Sequence, residues 1–298
     1  MSLSPEILRW LESQIGDITD SAQLAGSSST TLYRVTDANG TGYVLRLYDN
    51  EEWLAVEPDL CPHEAGALQW AQSASVKTPR LIAHEPDASV AGIPLLLMEQ
   101  LEGEVWLQPD DMSDWLRQAA EALAAIHAVK PDGFQWQFYR YTRIHQLKVP
   151  SWSQETAKWE KIIDILKQPV PETPTVFIHR DYHMVNFLWK DKQLTGVVDW
   201  INACAGSAGM DIGHMRINLS SLYGIDIADQ FLEAYQTANP DFEYLPYWDL
   251  VAIGDTALYG DEPPAVYPPW VDFGMTGLSD ALMMERAENF AASVLSRI

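Results

Sequence analysis

His179-Arg180-Asp181-Tyr182-His183-Met184-Val185-Asn186 packs two histidines, an arginine, an aspartate and an asparagine into eight residues. Asp199 follows Asn186 by thirteen residues, just after the apolar run Gly196-Val197-Val198. Phosphoryl transfer needs these residue types. A carboxylate must orient the attacking hydroxyl and accept its proton, and oxygen ligands must hold Mg²⁺ on the nucleotide phosphates. An Asp with an Asn five residues on, carried on a loop between short strands, can place both groups at one site. A second carboxylate at the end of the next strand completes a metal pocket.

Outward from this segment, Thr175 to Ile178 reads as a strand entering His179. Phe187-Leu188-Trp189 and Gly196-Val197-Val198 read as two more around an Asp191-Lys192 turn. Upstream, Asp111 to Val129 carries Met112, Trp115, Leu116, Ala119, Leu123, Ile126 and His127 at helical spacing. Pro150 to Pro169 brackets another helix, and Asp211 to Tyr223, Ile227 to Tyr235, Tyr247 to Leu258 and Ser279 to Leu295 continue the helical pattern. The front third differs. Ser4 and Pro5 start a helix whose apolar face is Ile7, Leu8, Leu11 and Ile15. Thr31 to Val35 and Tyr43 to Tyr48 flank the turn signal Asp37-Ala38-Asn39-Gly40 and predict a hairpin. Asp59 to Ala71 predicts a helix, and Leu81-Ile82-Ala83 and Pro94 to Met98 predict strands, while Gly260 to Pro269 reads as a loop. Strands in front and helices behind make the fold class α+β.

The pattern H-R-D-x-x-x-x-N is that of a kinase catalytic loop. From His179 through Asp199-Trp200 to Asp211-Ile212-Gly213 the chain resembles the aminoglycoside phosphotransferase/choline kinase family, and a weaker resemblance extends from Leu24 to Tyr259. The resemblance implies a two-lobed protein-kinase-like fold, with residues 1–100 as the nucleotide-binding lobe and 101–298 as the catalytic and substrate-binding lobe. It implies Asp181 as catalytic base, Asn186 and Asp199 as Mg²⁺ ligands, and Asp211 and His179 as supports of the catalytic loop. Arg46 stands where many kinases carry a phosphate-binding Lys, and Glu64 matches the helix carboxylate that pairs with that cation. A guanidinium keeps the charge and adds two-point pairing. Ser27 and Ser28 lie where a loop would cover the phosphates, and Glu99 to Leu101 match the hinge whose backbone holds the base of ATP or GTP. Asp199 is followed by Trp200-Ile201 rather than Phe-Gly, and no Ala-Pro-Glu is present, which favours a small-molecule kinase over a protein kinase.

Lys plus Arg total 19 against 42 Asp plus Glu, a formal charge of −23. So acidic a chain is unsuited to nucleic acid or anionic lipid. Acids (Asp110, Asp111, Asp114, Asp249, Asp255, Asp261, Glu262, Asp272) and aromatics (Trp248, Tyr259, Tyr267, Trp270) in the rear part suggest a cationic acceptor such as an aminoglycoside or amino alcohol. Ordinary solubility would also explain many of the acids. No basic segment followed by an apolar one opens the chain and no apolar run approaches a membrane span, so the expected compartment is cytoplasmic. Two rivals remain at this level. One is a non-catalytic nucleotide-binding module of the same fold. The other is a metal-dependent hydrolase using His179, Asp181 and His183 as ligands.

Overall fold

Ser4 Oγ accepts the Ile7 N–H at 3.4 Å and Pro5 takes the first helical position, so α1 (Pro5–Ile15) begins where a cap and a missing donor favour it. The computed structural model describes residues 3–24, 30–258 and 262–298. Five antiparallel strands form the front sheet: β1 (Ile18–Gln23), β2 (Thr31–Asp37), β3 (Gly42–Leu47), β4 (Leu81–Glu85) and β5 (Leu95–Glu99), in the order β1-β2-β3-β5-β4. The β2–β3 turn closes because Asp37 Oδ1 accepts the Asn39 and Thr41 N–H groups at 2.9 and 2.8 Å, with Gly40 at φ +80°.

Side chains alternate across this sheet. Tyr33, Val35, Leu45, Leu47, Leu95 and Leu97 pack with Ile7 and Leu11 of α1. Leu96 and Met98 point the other way and join the main core with α3 (Leu60–Ala71), which follows the short α2 (Glu51–Val56). Arg46 pairs in register with Leu96 and shares its face. The β3 period thus delivers a buried cation to the interior side of the sheet.

The rest is mostly helical: α4 (Met112–His127), α5 (Thr156–Leu166), α6 (Ala208–Tyr223), α7 (Ile225–Ala238), α8 (Tyr247–Thr256), α9 (Pro268–Asp272) and α10 (Asp280–Leu295). Between α5 and α6 come β6 (Thr175–Ile178), β7 (Phe187–Lys190), β8 (Gln193–Val197) and β9 (Cys204–Ser207), with β6 paired to β9 and β7 to β8. Sequence pattern foresaw the predicted strands and long helices to within a few residues, but not α2, β1, β9 or α9, whose first turn begins at Pro268 inside the stretch read as a loop. Thr19, Asp20 and Ser21 of β1 are exposed or nearly so at the sheet edge, and β9 is Cys-Ala-Gly-Ser. Neither carries the β-branched alternation that marks a strand.

Two glycines on α6 set the active region's geometry. A Cβ on Gly213 would lie 2.5 Å from the Trp248 carbonyl oxygen, and one on Gly209 would lie 2.3 Å from Trp248 Cδ1. Their spacing of four puts both on one face, so α6 and α8 approach to backbone contact. Gly213→Ala is expected to destabilise the fold by about 1–3 kcal/mol through overpacking. Urea denaturation checks this, and an unchanged midpoint would remove the close-approach argument.

Candidate active site

Asp211 organises the loop between β6 and β7. It is fully buried near the start of α6. Its Oδ2 accepts the His179 N–H at 2.8 Å and its Oδ1 accepts the Arg180 N–H at 2.6 Å. His127 of α4 reaches the same Oδ2 at 3.0 Å through Nε2, and its Nδ1 lies 2.6 Å from the Tyr235 hydroxyl. This chain of contacts spans three helices and fixes the loop from behind. Arg180 adopts φ +68°, and its guanidinium donates to the Tyr139 carbonyl at 2.5 Å and stacks over Tyr141 at 3.9 Å.

His179 is turned inward. Its Nε2–H donates to the Val198 carbonyl at 2.9 Å while its Nδ1 accepts the Asp181 N–H at 3.3 Å. Burial pushes its pKa down, against the pull of Asp211 and Asp181. With both ring nitrogens engaged, His179 offers no lone pair to a cation, and the hydrolase ligand set read from the sequence loses that member.

Asp181, Asn186 and Asp199 open onto one cavity of about 440 Å³. Asn186 ends a 3₁₀ turn (Met184–Asn186) and donates through Nδ2 to Asp181 O at 2.9 Å and Asp181 Oδ2 at 3.3 Å. Asp199 follows β8 at φ +66°, a left-handed backbone that swings its carboxylate out of the strand line. Two imidazoles flank Asp181 Oδ1: His214 Nε2 at 3.2 Å and His183 Nε2 at 3.5 Å. Burial alone would raise the Asp181 pKa, but these histidines outweigh it and hold the carboxyl well below its usual value. For His214 burial works downward, yet Asp181 holds the imidazole above its ordinary pKa. His214 escaped the sequence reading. The one local signal for it is its place three residues after Asp211 on α6.

Arg46 links this cavity to the sheet. Its Nε lies 3.1 Å from Glu64 Oε2, and one terminal nitrogen donates to Asp199 Oδ1 at 2.8 Å. The Tyr48 hydroxyl donates to Glu64 Oε2 at 2.5 Å. Burial opposes the Arg46 charge, but Glu64 and Asp199 overcome it and raise its pKa, while burial pushes Glu64 upward against the pull of Arg46. The expected strand-cation and helix-carboxylate pair is thus formed. Glu99 and Leu101 instead line a separate cleft of about 670 Å³ with Gly42, Gly103 and Trp189. Ser27 and Ser28 lie outside the described residues.

Of the acids and aromatics expected to form a wall for a cationic acceptor, Asp261 and Tyr259 lie outside the described residues, and four of the other acids are engaged elsewhere. Asp110 pairs with Lys192 and Asp114 with Arg117. Asp249 is buried against Arg216, and Asp255 holds the Thr142 hydroxyl at 2.5 Å. Trp248 and Trp270 belong to the core, whereas Tyr267 does line the cavity, with Trp53, Tyr141, Asn202, Asn218 and Thr256.

A β-rich front, a helical rear and a loop–strand–loop set of carboxylates and amide between them define a two-lobed, kinase-like phosphotransferase fold. The profile described as the phosphotransferase enzyme family matches residues 21–248, and the chain belongs to that family. An N-acetylmuramate/N-acetylglucosamine kinase of Pseudomonas aeruginosa is 25% identical over 154 residues, covering 47% of this chain and 44% of that protein. A homoserine kinase of Rhizobium etli is 25% identical over 224 residues, covering 66% and 65%. Each of these matches spans less than two thirds of the relative's length. A thermostable mutant of aminoglycoside phosphotransferase APH(4)-Ia, solved with ADP and hygromycin B, shares the fold with a TM-score of 0.63 at 15% identity, covering 97% of this chain and 98% of that one. Among the described residues no helix is long and apolar enough to cross a membrane.

Proposed function

We propose that the chain moves the γ-phosphoryl group of ATP or GTP to a hydroxyl of a small molecule in a Mg²⁺-dependent reaction. The observation that carries this is the convergence of Asp181, Asn186 and Asp199 on one cavity, with Arg46 tying Asp199 to Glu64. Asp181, ionised and acceptor-only, orients the attacking hydroxyl and receives its proton. The donor set suits a hard cation. Asn186 directs Nδ2 at Asp181, which leaves its amide oxygen, and Asp199 gives Oδ1 to Arg46, which leaves Oδ2. Asn186 and Asp199 would hold the Mg²⁺ that accompanies the nucleotide, and what this supplies is neutralisation of charge on the transferring phosphoryl oxygens. Arg46, braced by Glu64, contacts phosphate. The Glu99–Leu101 backbone meets the base.

The acceptor enters over Tyr267, Tyr141 and Trp53, where amides and hydroxyls offer hydrogen bonds. A cationic amino sugar or amino alcohol would have Asp181, the carboxylate of this cavity not committed to Arg46, as its charge partner. The relatives' named substrates, N-acetylmuramate, N-acetylglucosamine and homoserine, are small hydroxyl compounds. The test is release of ADP or GDP with Mg²⁺ across amino sugars, amino alcohols, aminoglycosides, macrolides and neutral sugars. Acceptor-dependent release, lost in Asn186→Ala, is the expected result. Tight nucleotide binding with no turnover on any acceptor would favour the non-catalytic module.

A further inference from the structure

Among the described residues one cluster of histidine and carboxylate side chains can close on a metal ion: Asp181, His183 and His214. One ligand atom from each lies within 4.8 Å of the others. The two imidazole nitrogens stand 3.2 and 3.5 Å from the same carboxylate oxygen. With bonds of about 2.0–2.1 Å, adjacent ligands of a tetrahedral zinc are roughly 3.3–3.4 Å apart, so both edges already have the needed length. The supports are rigid. His183 immediately precedes the 3₁₀ turn that ends in Asn186. His214 rides on α6, held in place through Gly209 and Gly213.

These two rings differ from the other histidines of this region. His127 and His179 have both ring nitrogens committed to protein partners. His183 is 6% exposed, and its Nε2 faces Asp181 Oδ1 across 3.5 Å with no other partner among the described residues. Asp181 and His214 remain accessible from the cavity, so water or a hydroxyl can complete the coordination. Imidazole favours zinc, nickel and copper, whereas Mg²⁺ prefers oxygen and keeps its waters. The cluster therefore differs in kind from the Asn186–Asp199 oxygen pair.

We propose that Asp181, His183 and His214 bind one divalent transition metal ion of the zinc type, and that its binding stops phosphoryl transfer by claiming the carboxylate that must hold the acceptor hydroxyl. Coordination replaces the two imidazole–carboxylate contacts with metal bonds, and any proton on a ligating nitrogen is released to water. Metal binding stands independently of the phosphotransferase reading, and the inhibition rests on it.

The test is equilibrium dialysis of the metal-stripped full chain against ZnCl₂ without nucleotide, with Co²⁺ as a spectroscopic substitute. One zinc per chain is expected, weakened at least about 10-fold in both His183→Ala and His214→Ala, with loss of the Co²⁺ visible band. His84→Ala, an exposed position on β4, should bind as the parent does. His183→Asn and His214→Asn, checked by thermal melting, guard against loss of fold. Absence of stoichiometric zinc overturns the proposal, as does zinc that survives both substitutions or disappears in His84→Ala. In the activity assay, zinc should abolish turnover under excess Mg²⁺ and a chelator should restore it. Bound zinc with turnover unchanged overturns the inhibition. If one zinc binds through these residues but no acceptor is phosphorylated, the metal site stands and the phosphotransferase reading falls.

Discussion

Asp181→Ala and Asp181→Asn are each expected to lower turnover by about 10²–10⁴-fold, the range for removal of a positioned general base, while the chain remains folded. The backbone supports this separation. Asp211 holds the loop through the His179 and Arg180 N–H groups, and Asn186 still bonds the carbonyl of residue 181. What goes is the charge facing the cavity. Because His183 and His214 hold the Asp181 pKa well below the ordinary carboxylate value, the group is ionised at every pH from 5 to 9. The Asp181 carboxylate itself therefore adds no pH dependence to the deficit of the Asn variant over that range, and any that appears follows His214, whose raised pKa depends on Asp181. The stability linkage has the sign of a depressed carboxylate. The Asp181 contribution is present above the unfolded-state pKa and is lost as pH falls through the folded value. Parent and Asp181→Asn should thus converge in stability at strongly acid pH. Steady-state rates and urea melts at several pH values measure both effects, and retained turnover in Asp181→Ala would sink the base assignment.

The residues legible in the sequence are those whose partners are close along the chain. Asp181 and Asn186 lie five apart, and Asp199 follows a strand that pairs back onto the same loop, so local spacing carries the geometry. Arg46 and Glu64 are legible for a related reason. Their positions are those the resemblance implies, and β3 and α3 then turn the cation and the carboxylate to the same covered face. His214 and His127 are different. His127 acts through Asp211 and His214 through Asp181, and their relation to the loop exists only once α4 and α6 have packed. The acids behind residue 100 show the same limit from the other side. Sequence clusters Asp110 with Asp111 and Asp114, but tertiary structure sends Asp110 to Lys192 and Asp114 to Arg117. Charge density along the chain therefore did not become charge density in the cavity.

Arg46→Ala should destabilise the fold by about 3–5 kcal/mol, the cost of stranding one member of a buried ion pair. Arg46 is 4% exposed and Glu64 is fully buried, so water cannot take the place of the lost guanidinium. The Tyr48 hydroxyl continues to donate to Glu64 Oε2, but Glu64 Oε1 has no protein partner even in the parent. Loss of the second contact, to Asp199, matters less for stability because that carboxylate is 34% exposed. Arg46→Lys keeps the charge but not the fork that reaches Glu64 and Asp199 together, and an intermediate loss is expected. The pH dependence identifies the cause. Burial already raises the Glu64 pKa, and removal of Arg46 raises it further. A carboxyl with a raised folded pKa contributes fully below its unfolded value and loses that contribution as pH climbs through the folded one. The penalty in Arg46→Ala should therefore shrink toward acid pH and grow toward neutrality. Replacing both partners, as Arg46→Met with Glu64→Leu, should recover most of the stability without recovering phosphate binding. Urea denaturation of the two single variants and the double variant gives the coupling, and additive losses in that cycle would show that the pair does not act as a unit.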